Sequence, residues 1–165
     1  MRTIVSNTGP LLHLSEAQSL DLLHIAGQIL IPPSVAVEAK QYLPVWQTDQ
    51  PAWIVIKGLV EPYLREARAW QESRILHPGE AEALALARQL KADWFLTDDT
   101  AARVMAASLD VEVHGSLGLL LWAAPRYLKR EDAERRLDAL IASSLWISAR
   151  VISEAKSALN RLFRD

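Results

Sequence analysis

The sequence predicts an α/β fold, a three-layer α/β/α sandwich around a central, mainly parallel sheet. Three observations predict it. Short apolar runs of strand length alternate with longer stretches of helical periodicity, the pattern of parallel strands joined by crossover helices. Several runs are apolar throughout, as strands covered on both faces should be. Polar residues gather just where the runs end, at the edge where open α/β sheets collect ligands.

Taken in order, Thr3–Ser6 reads as a strand, and Thr8-Gly9-Pro10 opens a helix with Thr8 as its N-cap and proline in the first turn. Leu11, Leu12 and Leu14 supply the apolar face of that helix, and Leu20–Ile25 adds another short one. Gln28–Ile31 is a second strand. Pro32-Pro33-Ser34 then starts a helix through Tyr42, in which Val35, Ala39 and Tyr42 share a face. Pro51 precedes a short strand at Trp53–Ile56, and Glu61–Glu72 reads as an amphipathic helix at the surface.

Pro78-Gly79 opens a strong helix from Glu80 to Leu90, and Lys91-Ala92-Asp93 leads into an apolar strand over 94–97. A helix near Thr100–Ser108, a strand at Val111–Val113 and a helix from Gly115-Ser116 through Ala123 follow; Pro125 should break the last of these. Glu131–Ala142 reads as helix, Leu145–Ile147 as an edge strand and Val151–Phe163 as the closing helix. With 165 residues and no repeat, linker or low-complexity segment, residues 1–165 read as one domain.

Composition narrows the function classes. The chain has no cysteine, which excludes disulfides and thiolate metal sites. No signal peptide is expected, since Arg2-Thr3-Ile4-Val5 leads straight into a strand-like run, and the longest apolar stretch, Leu117 to Ala124, is too short to span a bilayer. The expected setting is cytoplasmic, away from membranes. Net charge is −2, but unevenly placed: residues 1–115 carry 9 Lys and Arg against 14 Asp and Glu, whereas residues 116–165 carry 9 against 6. Charge alone reads as an ordinary solvated surface. The segregation would let phosphates meet the basic part while metal ions mask the acids.

Four polar sites fall where strands end or helices begin: Ser6-Asn7-Thr8, Glu38, Glu80-Ala81-Glu82 and Thr97-Asp98-Asp99. If their strands are neighbours, these sites converge. Two adjacent aspartates repel when both are charged, and a divalent cation relieves that cost. Converging carboxylates suit Mg²⁺ or Mn²⁺, which prefer hard oxygen ligands. Such an ion can generate hydroxide, orient a phosphodiester and stabilise the leaving oxygen.

Each site also has a plain structural reading. Glu38 can be a solvated helical acid, Asp98 and Asp99 can cap the helix near Thr100, and Asn7 can support the Thr8 cap. Glu80 and Glu82 lie two residues apart, about 200° around a helix, so at most one faces a metal. Glu82 is the expected one, because Glu80 is better placed as an acid near the helix dipole. His13, His24, His77 and His114 have no metal-ligand spacing and read as structural or surface residues. Trp122 and Tyr127, flanking Pro125, suggest an oligomer contact ahead of a base-stacking surface. A phosphoacceptor receiver domain also uses acids at strand ends, but the lone acceptor aspartate and later lysine it needs are not clearly placed.

Five segments together resemble the PIN-domain ribonucleases, especially a branch beside the VapC-type toxins. They are Ile4-Val5-Ser6-Asn7-Thr8-Gly9-Pro10-Leu11-Leu12, Ile31-Pro32-Pro33-Ser34-Val35-Ala36-Val37-Glu38, Pro78-Gly79-Glu80-Ala81-Glu82-Ala83-Leu84-Ala85-Leu86-Ala87, Leu96-Thr97-Asp98-Asp99 and Val113-His114-Gly115-Ser116-Leu117-Gly118. They occur in the expected order over about residues 3–123, and residues 124–165 fit the helical extension of that branch. The resemblance implies an acidic pocket for Mg²⁺ or Mn²⁺ and metal-dependent cleavage of RNA. It implies Glu38, Glu82 and Asp99 as acids of that pocket, with Asp98 as an added ligand or an exchange partner for Asp99. Ser6, Thr8, Glu80 and Thr97 would support it.

The resemblance also implies a possible role as the toxin of a toxin–antitoxin pair, with an antitoxin protein as partner, and a homodimer. The departure is Asn7, where the family usually has aspartate. Its carbonyl oxygen can still meet a metal, without the charge. The alternative expectation is therefore a PIN-like module that binds RNA or a protein without cutting.

Overall fold

The computed structural model describes residues Met1–Arg164. Its centre is a five-stranded sheet: β1 (Thr3–Ser6), β2 (Gln28–Ile31), β3 (Ile54–Ile56), β4 (Trp94–Leu96) and β5 (Val113–His114). The strands are ordered β3-β2-β1-β4-β5 and all pairings are parallel. β1 is central, with Val5 opposite Leu30 of β2 on one side and Phe95 of β4 on the other. Ile4, Val5, Ile29, Ile31, Phe95 and Leu96 are fully buried, which explains why these runs are apolar without alternation. Each such side chain stabilises the fold by about 1.5–3 kcal/mol.

The helices are α1 (Thr8–Glu16), α2 (Asp21–Ala26), α3 (Pro33–Tyr42), α4 (Trp46–Asp49), α5 (Tyr63–Glu72), α6 (Pro78–Gln89), α7 (Thr100–Ser108), α8 (Ser116–Tyr127), α9 (Arg130–Ile141) and α10 (Ala149–Leu162). α6 packs on β1 and β4 and gathers α3, α5 and α7 around it. Its alanine-rich run, buried from Ala83 to Ala87, lets it lie close to the sheet. α5 is fastened to it by the buried Ala67 and the Glu66–Arg88 ion pair. α2 packs on β2 and α8, and the closing helices α9 and α10 pack on α8. The expected α/β/α sandwich is the observed architecture. No helix among the described residues is long and apolar enough to cross a membrane.

Several expectations are corrected. Asn7, rather than Thr8, is the N-cap of α1: its side-chain oxygen accepts the Thr8 N–H at 2.8 Å. Pro125 does not end α8, which continues to Tyr127. It sits in the last turn, where it removes the amide that would meet the Leu121 carbonyl, and the helix runs only two residues further; Arg126 Nη1 donates to the Trp122 carbonyl there. The last sheet strand is shifted onto Val113–His114, because Val111 N–H is spent on the Ala106 carbonyl at the exit of α7. Leu145–Ile147 forms no strand. Its segment is bound otherwise, with Leu145 N–H donating to Ser143 Oγ and Ser144 held by Glu16 of α1.

Candidate active site

The strand order places β1 and β4 side by side while the chain leaves β1 towards β2. This is the topological switch point, where the two strand ends open a crevice. The segment after β1 brings Asn7, Thr8 and Gly9 to it, and the segment after β4 brings Thr97, Asp98 and Asp99. Asn7 N–H donates to the Leu96 carbonyl at 2.9 Å, stitching the two together. A cavity of about 250 Å³ lies there, lined by Asn7, Thr8, His13, Glu38, Glu80 and Asp99 among others.

Four carboxylates line it, and three of them have one oxygen engaged. Glu38 Oε2 accepts the Thr8 hydroxyl at 2.7 Å. Glu80 Oε2 accepts the His77 N–H at 3.1 Å, closing the start of α6. Asp99 Oδ2 accepts the Ala102 N–H at 2.8 Å as the N-cap of α7. Gly79 makes room for Glu38, since a Cβ there would collide with Glu38 Oε1. Burial pushes the Glu80 carboxyl above its ordinary value; the His77 amide pulls against that, and Asp99 and Glu38 push with it.

Asn7 and Thr97 form the buried floor. Asn7 Nδ2 donates to Thr97 Oγ1 at 3.2 Å, and Asp99 N–H donates to the same oxygen at 3.1 Å. Ser6, also buried, donates to the Asn7 carbonyl.

Two expectations change here. Glu82 does not line the cavity, whereas Glu80 does. The 200° separation on α6 holds, but the residue that closes the helix start is also the one that faces the acids, which sends Glu82 away from them. Asp98 lines the cavity with both oxygens already used. Oδ1 accepts Ser116 N–H at 2.7 Å, while Oδ2 meets Ser116 Oγ at 2.6 Å and His13 Nδ1 at 2.7 Å. Burial pushes Asp98 up, and the bonds from His13 and Ser116 outweigh that and hold it below its ordinary value. Asp98 thus ties β4 to α1 and α8 through both of its oxygens.

His13 and Ser116 are the residues that sequence reasoning missed. The available signal was the i, i+4 spacing of Gly9 and His13, which puts both on the face of α1 that meets Asp98. Trp146, which also lines the cavity, arrives from the loop between α9 and α10 and had no local signal.

The free oxygens of Glu38, Glu80 and Asp99 are hard, anionic donors, and their repulsion is uncompensated by any lysine or arginine lining the cavity. That donor set fits Mg²⁺ or Mn²⁺ in chemistry. It is not a closed cage: among the described residues no three His, Asp or Glu side chains are grouped tightly enough to hold an ion as they stand. A comparison with curated proteins gave no match. A family model described as a PIN domain matches residues 3–161.

Proposed function

Because the chain belongs to the PIN-domain family, we propose that it is a nuclease that cleaves RNA with the help of a bound Mg²⁺ or Mn²⁺ ion. The observation that carries this reading is the meeting of Glu38, Glu80 and Asp99 at the switch crevice, each with a free oxygen. These three residues would hold the ion, with Asn7 beside them. When bound, the ion supplies Lewis acidity for activating water and offsets charge on the phosphate.

The chain's own residues do the positioning. Thr8 holds Glu38, the start of α6 holds Glu80, and the start of α7 holds Asp99. Thr97 Oγ1 fixes Asn7 and the Asp99 backbone relative to each other. Asp98 locks His13 and Ser116 and so keeps the cavity wall in place.

Asp99→Asn tests the reading. Asparagine keeps the N-cap of α7, so the melting temperature should hold while Mn²⁺-dependent cleavage of RNA falls by roughly 100-fold or more. Cleavage unaltered by this change would overturn the assignment.

A second reading, a module that binds RNA or a protein without cutting, is favoured by the neutral Asn7 and by the open spacing of the acids. Calorimetric titration with Mn²⁺ separates the two, since absent binding favours the module. Toxin action, an antitoxin partner and a homodimer extend the first reading and rest on the family alone. Growth arrest on expression, abolished by Asp99→Asn, would support the toxin role, and co-purification with a protein encoded beside it would support an antitoxin. Sedimentation would test the dimer.

A further inference from the structure

A second cavity, of about 460 Å³, adjoins the acidic one and shares Asp98, Leu145 and Trp146 with it. Its size falls in the range of small-molecule and nucleotide sites. Its lining differs from that of its neighbour: Leu117, Ile147 and Val151 make apolar walls, and Arg103 and His114 are its basic groups. Arg103 lies over the Gly115 backbone, where a Cβ would collide with Nη1. Among the described residues it pairs with no carboxylate. An exposed, unpaired guanidinium is thus available to an anion beside a cavity that is itself anionic.

Trp146 stands on the rim common to both cavities and is 83 % exposed. An exposed indole can occur singly without meaning, but the segment that carries this one is fixed on both sides. Ser144 bonds Glu16 of α1 through its N–H and its hydroxyl, Ser143 Oγ accepts Leu145 N–H, and Ser148 caps α10. An indole on a fixed stretch of backbone offers an aromatic face for stacking at a reduced ordering cost.

We propose that this second cavity takes an unpaired nucleotide of the RNA strand next to the bond that is cut, with its base against Trp146 and its phosphate at Arg103. The proposal rests on the nuclease reading for the position of the cut and for RNA as the strand. A paired base is already stacked on its neighbours and cannot present its face to the indole, so the surface selects single strands.

The test is binding of a short fluorescein-labelled single-stranded RNA to the full chain in EDTA, where no metal-dependent cleavage can occur. Trp146→Ala should raise Kd by roughly tenfold and Trp146→Phe by much less, since stacking on one aromatic is worth about 1–3 kcal/mol. Arg103→Gln should reduce the dependence of log K on log salt by about one phosphate contact's share. The same RNA annealed to its complement should bind more weakly. Equal affinity of Trp146→Ala and wild type, or equal binding of the duplex, overturns the proposal even if the protein cuts RNA. Trp146-dependent binding with no cleavage in Mn²⁺ supports the nucleotide site at Trp146 and Arg103 and overturns the nuclease reading, and with it the position of the site beside a cut.

Discussion

At the scale of single residues, Asn7 decides how much charge the crevice carries. Its amide caps α1 through one atom and donates to Thr97 through the other. An aspartate of the same shape could keep both contacts, because its oxygen still accepts Thr8 N–H and the Thr97 hydroxyl can turn to donate. Asn7→Asp should therefore fold normally and add a carboxylate beside Glu38, Glu80 and Asp99. Mn²⁺ affinity, measured by calorimetry, is expected to rise by roughly tenfold or more, an increment of about 1.4 kcal/mol. No gain would mean that the Asn7 side chain does not reach the ion. The residue itself was legible in the sequence, since a polar triplet following a strand marks a sheet edge. Its capping role was assigned one position late, to Thr8, because either residue type serves as an N-cap and only the backbone decides.

At the scale of elements, α6 combines two tasks at its first turn. Gly79 lets the Glu38 carboxylate lie against the helix, and Glu80 closes the helix start while facing the acids. A methyl at position 79 meets the end of a flexible side chain, so the fold can yield by moving Glu38 off Thr8. Alanine also favours the helix over glycine by about 1 kcal/mol. Gly79→Ala should hence leave the melting temperature unchanged or slightly higher, while Mn²⁺ binding and any cleavage drop by about tenfold. A parallel loss of stability and binding would show instead that the backbone had shifted. Here the sequence was half legible. The Pro-Gly start and the alanine run announced the helix, and the 200° rule announced that one glutamate must turn away. Which one turned depended on the packing of α6 against β1 and β4, which no local pattern encodes.

At the scale of the whole molecule, the parallel order β3-β2-β1-β4-β5 brings together residues that are far apart in the chain. Asp98 is the principal tie: it joins the end of β4 to His13 of α1 and Ser116 of α8. Its carboxyl is held below the ordinary value, so its contribution to stability is present above the usual carboxylate range and is lost as pH falls through the depressed value. Asp98→Asn should cost about 1–3 kcal/mol near neutral pH by leaving buried partners unmet. The gap between its melting temperature and that of the wild type should close in acid, and a gap constant with pH would contradict the role of the charge. The α/β/α sandwich and the alternation of elements were readable from apolar runs alone. The loop after α9 was not, because Leu145-Trp146-Ile147 has the composition of a strand, while in the fold Leu145 bonds Ser143 and the preceding Ser144 bonds Glu16.

That last bond, from Ser144 to Glu16, spans 128 residues. Asn7, Glu38, Glu80 and Asp99 all precede the wall it anchors. Translation consequently delivers every acid of the crevice before it delivers Trp146, and a growing chain can assemble its charges well before it owns the surface that faces them.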